Sequence, residues 1–320
     1  MNIVLTGSVA YDYLMTFPGY FRDYILADKL EHISLSFLVD SMVKRRGGIA
    51  PNIAYTLALL GDTPQVMATV GEDFAEYRTH LEKIGVDTSL MKVIPGVFTA
   101  SFFCNTDRSN AQIASFYPGA MDYAGELSFY DLAQKPDWVI ISPNSPDSMV
   151  KYPQECVELG IPYLFDPSQQ IPRMTAEELR MGVEGASALM VNDYEYELIK
   201  NQTGMQDNEI LKNLNFMVIT RGEQGATIFV DGDQYCTPIV PAKKIVDPTG
   251  VGDAFRGGFL TGFSHGLDWD ICGKMGALSA TYCLEVMGTQ EHLYTPQEFV
   301  SRFREHFSDG GILDILMNAK

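Results

Sequence analysis

Nowhere in its 320 residues does the chain carry an apolar run long enough to cross a bilayer. Its start, MNIVLTGSVAYD, has no basic segment and no cleavage-like site, so Asn2–Leu5 reads as a first strand and not a signal peptide. Basic residues are scarce. Lys and Arg number 23 against 41 Asp and Glu, a formal net charge of −18, which argues against a broad nucleic-acid footprint. A protein this acidic that binds a polyanion must do so locally, with backbone amides, a metal ion and a few placed side chains. The five cysteines (104, 156, 236, 272 and 283) include no CxxC pair, and their odd count fits reduced thiols and a cytoplasmic location. The five histidines show no HExxH or other ligand spacing, which argues against a zinc enzyme. The chain also lacks a Walker A GxxxxGK[ST] sequence and the glycine fingerprint of a dinucleotide-binding fold.

What is present is an alternation. Short β-branched runs at Ile3–Leu5, Val66–Val70, Trp138–Ile141, Tyr163–Phe165, Ala188–Val191, Phe216–Ile219 and Thr227–Val230 are interleaved with helical stretches at Pro51–Leu60, Phe74–Ile84, Thr175–Gly182, Asp193–Lys200 and Asp207–Asn213. This predicts an α/β fold with a mostly parallel sheet covered by helices on both faces. Beyond residue 250 the pattern turns helical, at Gly252–Ser264, Trp269–Val286 and Pro296–Phe307. Residues 10–45 and 97–118 break the rhythm with Tyr, Phe, Ser and Thr, and predict antiparallel strands of a small sheet that forms a lid. The lid is an insertion, so residues 1–320 form one domain.

The densest signal is DPTGVGDAFRGGF, residues 247–259. A strand-like segment, Tyr235–Val246, precedes it and a helix follows Gly252. Glycines at a helix start let an anion approach amides that lack internal partners, at the positive end of the helix dipole. Gly250, Val251 and Gly252 are therefore candidate donors to a phosphate. Asp253 is unfavourable beside a simple phosphate site, but it suits a base that takes a proton from a hydroxyl attacking phosphorus. A first-turn aspartate that only caps the helix is the alternative. Upstream, RRGGIAPNIAYTLALLG (45–61) sets Gly47–Gly48 before a helix with Asn52 in its first turn. Asp12, after the first strand, faces the usual ligand crevice of an α/β sheet and could accept from vicinal hydroxyls.

In order along the chain, these segments resemble the ribokinase-like (PfkB-type) carbohydrate kinase family. GGIAPN is similar to its first signature, VNDYE (191–195) to its N-x-x-E element, TRGEQG (220–225) to its T-x-G-x-x-G element, and DPTGVGDAFRGGF to its D-T-x-G-x-G-D signature. Pro248 departs from that signature and removes a backbone donor, and Val251 replaces the usual alanine. The resemblance implies a ribokinase-like three-layer α/β/α fold with a β-sheet lid. It also implies an ATP-dependent phosphotransferase, with Asp253 as general base and the amides of Gly250–Gly252 as anion hole. Asp12, Gly48 and Asn52 would hold the sugar. Asn192 and Glu195 would help place Mg²⁺ through water, and Asn192, Thr220, Gly222, Gly225 and Gly288 would serve ATP. A K⁺ ion near Asp247 is a family option. Arg256 lies one turn past the base and takes no assigned role; a helix-surface charge is one reading of it.

The acceptor is a small molecule. FDPSQQIPRM (165–174) places Gln169 and Gln170 after a strand, where an amide offers both donor and acceptor to a purine edge. Phe102 and Phe116 on the lid could stack on a base, or could fill the lid's own core. SLSFLVDSMVKRRGGIAPNIA, DPSQQIPR and EVMGTQEH (285–292) are similar to the adenosine-phosphorylating branch of the family. That likeness assigns nucleoside contacts to Ser8, Ser36, Phe102, Phe116, Gln169, Gln170 and Arg173, and points to adenosine 5′-phosphorylation. A ribokinase- or fructokinase-type sugar kinase, and a nucleoside-sensing protein without turnover, remain open at this point. Lid edges could pair two chains into a homodimer.

Overall fold

The computed structural model describes residues 1–25, 31 and 34–317; the remaining part of the expected lid stretch 10–45 lies outside the described residues. Strands β1 (Ile3–Thr6), β2 (Ala10–Thr16) and β3 (Ser41–Gly47) open the chain. They are followed by α1 (Ile49–Leu59), β4 (Gln65–Met67), β5 (Thr69–Val70), α2 (Ala75–Ile84), β6 (Lys92–Val93), β7 (Ala100–Thr106) and β8 (Gln112–Tyr117). Next come β9 (Trp138–Ile141), α3 (Pro146–Leu159), β10 (Tyr163–Phe165), α4 (Ala176–Glu184), β11 (Ala188–Asn192), α5 (Asp193–Thr203) and α6 (Asp207–Leu211). The chain closes with β12 (Phe216–Thr220), β13 (Ala226–Val230), β14 (Asp233–Thr237), α7 (Val251–Ser264), α8 (Trp269–Leu284), α9 (Pro296–His306) and α10 (Asp314–Met317).

The main sheet runs β14-β13-β12-β11-β10-β9-β1-β4. Strands β4 through β12 in that order are parallel, and β13 and β14 are antiparallel at one edge. Every residue of β1, β9 and β10 is buried, as expected for parallel strands covered on both faces. Side chains alternate between two cores. Ile3 and Leu5 join Ile53, Phe259, Leu278 and Phe299 on the side of α1, α7, α8 and α9. Val4 joins Tyr152, Leu179 and Ile199 on the side of α3, α4 and α5. The result is a three-layer α/β/α architecture with a separate four-stranded lid, β3-β2-β7-β8, as the resemblance implies. From β1 the chain builds β4 on one side and β9 onward on the other, so the strand order reverses at β1, where such sheets open a ligand crevice.

Four details differ from expectation. Val66–Val70 is two strands: β4 belongs to the main sheet and β5 pairs with β6. The lid is mixed, because β2 and β7 run parallel while the outer pairs are antiparallel. The expected strand Tyr235–Val246 ends at Thr237, since Pro238 and Pro241 supply no backbone donor to a ladder. Helix α3 was not anticipated, because Pro153 interrupts its pattern; Met149, Tyr152 and Cys156 still bury one face.

Candidate active site

A cavity of about 460 Å³ opens at the carboxyl ends of the parallel strands, beneath the lid. That volume is in the range of small-molecule sites. Asp166, Asn192 and Thr220 reach it from the ends of β10, β11 and β12; Ser8 follows β1; Asp12, Phe102 and Phe116 come from the lid. Lid register explains the last group. Asp12 pairs with Phe102, and Phe102 with Phe116, so all three sit abreast on one face.

Helix α7 points its start at this cavity. Gly250 is its N-cap with φ of 76°, and a Cβ there would lie 2.7 Å from Thr289 Cγ2, so both backbone and space require glycine. The Val251 amide leans back on Pro248 O at 3.5 Å. Gly250, Gly252 and Asp253 line the cavity, and first-turn amides have no helical carbonyl to bind. Burial raises the Asp253 carboxyl to about 7, against the pull of Arg256 and of the Asn52 amide. A carboxylate titrating there can accept a proton near neutral pH.

The diglycine brings α1 to the same place. Gly48 has φ of 96°, and a Cβ on it would meet Ser8 O at 2.4 Å. Asn52 then sits one turn into α1 and donates from Nδ2 to Asp253 Oδ2 at 2.8 Å. Its Oδ1 accepts from Gln290 Nε2 at 2.8 Å. Gln290 also donates to Tyr77 Oη, which donates to Gly47 O at 2.9 Å. Asp12 lies against Gly47, and its carboxyl is raised to about 6 by burial and by Asp247.

The N-x-x-E element is a capping box at the start of α5. Asn192 Oδ1 accepts from Glu195 N at 2.7 Å, and Glu195 Oε2 accepts from Asn192 N at 2.8 Å. Glu195 Oε1 takes the Ser168 hydroxyl at 2.9 Å. Among the described residues no group of three or more His, Cys, Asp or Glu is arranged to hold a metal directly. A carboxylate fixed at the cavity wall with spare lone pairs fits a Mg²⁺ ion that keeps its waters and binds mainly to phosphates. Thr220 lines the cavity, whereas Gly222 and Gly225 shape the β12–β13 turn outside it. Gly288 N donates to Asp247 Oδ2 at 2.9 Å, which ties the 288–292 segment to the glycine loop.

Three of the anticipated nucleoside contacts do not line the cavity, and neither do Val251 and Gly288. Ser36 and Arg173 are exposed elsewhere, and Gln170 is buried, donating from Nε2 to Asn144 O at 2.8 Å. Gln169 does face the cavity. Conversely, Arg256 is no surface charge: it is 8% exposed, lines the cavity and meets Asp166 at 2.6 Å. Gln290 was also missed; only its place in EVMGTQEH hinted at it.

A glycine-lined helix start, a half-buried carboxylate and a lid over the crevice of a doubly wound sheet define a phosphotransferase with an alcohol acceptor. The chain belongs to the pfkB family of carbohydrate kinases, whose family model matches residues 9–296. The nucleoside kinase of Burkholderia thailandensis, solved with inosine, is 36% identical with a TM-score of 0.85, covering 95% of this chain and 98% of that one. The same kinase solved with ADP-inosine has a TM-score of 0.82 at 38% identity, covering 95% and 96%. The nucleoside kinase of Methanocaldococcus jannaschii is 28% identical over 307 residues, 95% of this chain and 97% of that protein.

Proposed function

We propose that this kinase is an ATP:nucleoside phosphotransferase acting on the 5′-hydroxyl of purine nucleosides, with adenosine as the leading acceptor, giving AMP and ADP. The observation that carries the reading is the meeting, in one cavity, of two lid phenylalanines, Gln169 and the Asp253 carboxylate. Flat apolar faces suit a base and an amide suits its edge, whereas a free sugar needs fewer flat apolar partners. The likeness to a kinase solved with inosine supports the same class of acceptor.

In this reading Asp12 accepts from the ribose hydroxyls beside Gly48, and the second N–H of Asn52 reaches the same sugar. Ser8 and the lid pair Phe102 and Phe116 flank the nucleoside. Asn192, Thr220 and the Gly288 segment border ATP. Asp253 accepts the 5′-hydroxyl proton as that oxygen bonds to the γ-phosphorus. The bond from phosphorus to the bridging oxygen breaks, its electron pair leaving with ADP, and the first-turn amides of α7 face the transferred group. Mg²⁺, when bound with ATP, neutralises phosphate charge, and Glu195 with Asn192 would hold its waters. Lid closure excludes the water that would otherwise compete as acceptor.

The lid's edge strands β3 and β8 expose Met42, Val43 and Ile113, which supports pairing of two copies; light scattering in solution tests it. A K⁺ requirement is read by exchanging K⁺ for a bulky quaternary ammonium ion in the assay. The function itself is tested with a panel of adenosine, inosine, guanosine, cytidine, ribose and fructose under coupled ADP detection. Saturable ADP release with adenosine, ahead of the sugars, is expected. Release with ribose or fructose alone assigns a sugar kinase, and tight nucleoside binding without ADP assigns a sensor.

A further inference from the structure

We propose that Arg256 is a catalytic residue whose guanidinium receives the migrating γ-phosphoryl group opposite the first-turn amides of α7. The proposal rests on the phosphotransfer reading above and adds a residue to it.

Three observations carry it. The first is charge. The carboxylates of Asp12, Asp166, Glu195 and Asp253 line the cavity, and Arg256 is the one cation among the described residues that do so. A polyphosphate entering such a site meets repulsion unless cations face it, and a Mg²⁺ ion offsets only part of four carboxylates.

The second is incomplete pairing. Arg256 is 8% exposed, and a side chain so buried normally spends its five donors. Here one nitrogen, Nη2, contacts Asp166 Oδ1 at 2.6 Å, while Nε is buried with no partner. Asp166 is itself anchored by the Ser142 hydroxyl at 3.2 Å. A bidentate fork, the arrangement that best repays burial of such a pair, is not formed. The guanidinium is held through Nη2 alone, and its stem nitrogen Nε has no partner.

The third is access. A Cβ built on Gly252 would lie 3.0 Å from Arg256 Nη1. Glycine at 252 therefore leaves this nitrogen uncovered beside the helix start, where any side chain would begin to cover it. The same residue that frees an amide for an anion also uncovers a guanidinium.

The transfer step stays balanced with Arg256 in place. The acceptor oxygen gains the bond to phosphorus and gives its proton to Asp253. The bridging oxygen keeps the electron pair of the broken bond and leaves on ADP. Arg256 exchanges no proton or electron and donates hydrogen bonds to the equatorial oxygens while charge is spread over them.

The test compares wild type, Arg256→Lys, Arg256→Ala and the double variant Asp166→Asn/Arg256→Met in ADP release with adenosine. The double variant neutralises the Arg256–Asp166 pair as a unit, so Asp166 is not left charged without its partner, while Asp253 loses one raising and one lowering neighbour together; its melting transition reports whether it folds. A folded double variant with kcat about 10²–10³-fold lower and nucleoside KM within about threefold of wild type is expected. Arg256→Lys should recover only part of the rate, since a point charge does not replace a planar fork. Millimolar guanidinium ion should restore turnover to Arg256→Ala saturably, and not to Asp253→Asn. A folded double variant with wild-type kcat, or no rescue at any guanidinium concentration the fold tolerates, overturns the proposal. If wild type itself releases no ADP with any nucleoside or sugar, the phosphotransfer reading fails instead.

Discussion

Asn52 and Asp253 lie 201 positions apart in the chain, yet Nδ2 of the first donates to Oδ2 of the second at 2.8 Å. The bond joins the two glycine signatures of the sequence, one at the start of α1 and one at the start of α7. It also has a direction that a third residue sets. Gln290 Nε2 donates to Asn52 Oδ1, so the asparagine must turn its N–H, not its oxygen, to the carboxylate. Were Asn52 reversed, two oxygens would face each other at hydrogen-bond distance.

Gln290→Met should therefore act on the base through Asn52. Methionine keeps the volume but offers no donor, so the orientation of Asn52 is no longer imposed. Asp253, faced also by Arg256, Asp166 and Glu195, then loses a donor that favours its charged form. The acid limb of kcat/KM should move to higher pH, and kcat at neutral pH should fall about tenfold, the worth of one hydrogen bond of about 1.4 kcal/mol. A pH–rate profile superimposable on wild type would show that Gln290 only packs.

Asp253→Asn should lower kcat by about 10²–10⁴-fold with adenosine affinity by calorimetry little changed. It should also stabilise the protein at high pH. The folded-state carboxyl titrates near 7, well above its ordinary value, so between roughly pH 4 and 7 the folded state binds more protons than the unfolded chain. Stability from this group is thus full below pH 4 and lost as pH rises through 7. Asn carries no such charge. Its melting temperature should exceed that of wild type at pH 8, and the two should converge near pH 4. Equal melting temperatures at pH 8 would mean the carboxyl is not held up by burial.

Wild-type kcat/KM should rise with pH through about 7 and then level, because the base must be ionised in the free enzyme. Below about 6 the slope should steepen, since Asp12, also raised by burial, gains its proton there and stops accepting from ribose. The two limbs separate by variant: Asp12→Asn should raise nucleoside KM and remove the steeper portion alone.

The alternation of strands and helices, the lid and the carboxylates of Asp12, Glu195 and Asp253 were legible because each rests on local pattern: period, turn residues, a glycine before a helix; the fourth cavity-facing carboxylate, Asp166, was not. The capping box of Asn192 and Glu195 is similarly a four-residue pattern. What escaped depends on tertiary neighbours. Arg256 reads as exposed until β10 places Asp166 beside it. Gln169 and Gln170 look equivalent in sequence, but the turn after β10 sends one to the cavity and one to the interior. Two glycines of the densest motif also serve packing and not phosphate. A Cβ on Gly257 would strike Thr56 of α1 at 2.5 Å, and one on Gly258 would strike Ser279 of α8 at 2.3 Å. Composition cannot divide one glycine run between two uses.

That split between the glutamines gives a direct comparison. Gln169→Ala should narrow the difference in kcat/KM between adenosine and guanosine, with melting temperature near wild type, because its amide faces the cavity. Gln170→Ala should instead lower stability by about 1–3 kcal/mol, since Asn144 O loses its buried donor, and should leave base preference in place. Urea unfolding and a two-nucleoside kinetic assay on both variants decide it. The opposite pattern would place the purine edge on the interior side of the turn.

Gly250→Ala joins the backbone of α7 to the chemistry. Alanine in the left-handed region costs about 1–2 kcal/mol, and here its Cβ would also lie 2.7–2.8 Å from the Thr289 side chain. Thr289 cannot retreat freely, because its hydroxyl donates to Arg46 O at 3.1 Å and the next residue is Gln290. The strain should therefore reach both the first-turn amides and the Gln290–Asn52–Asp253 chain. A fall in kcat of more than about tenfold is expected, with adenosine binding through the lid and Asp12 largely kept, because a small displacement at reacting atoms costs more than one at a binding surface. If stability drops while kcat per folded molecule stays at the wild-type value, the helix start does not need its present geometry, and the phosphoryl group must be received elsewhere in the cavity.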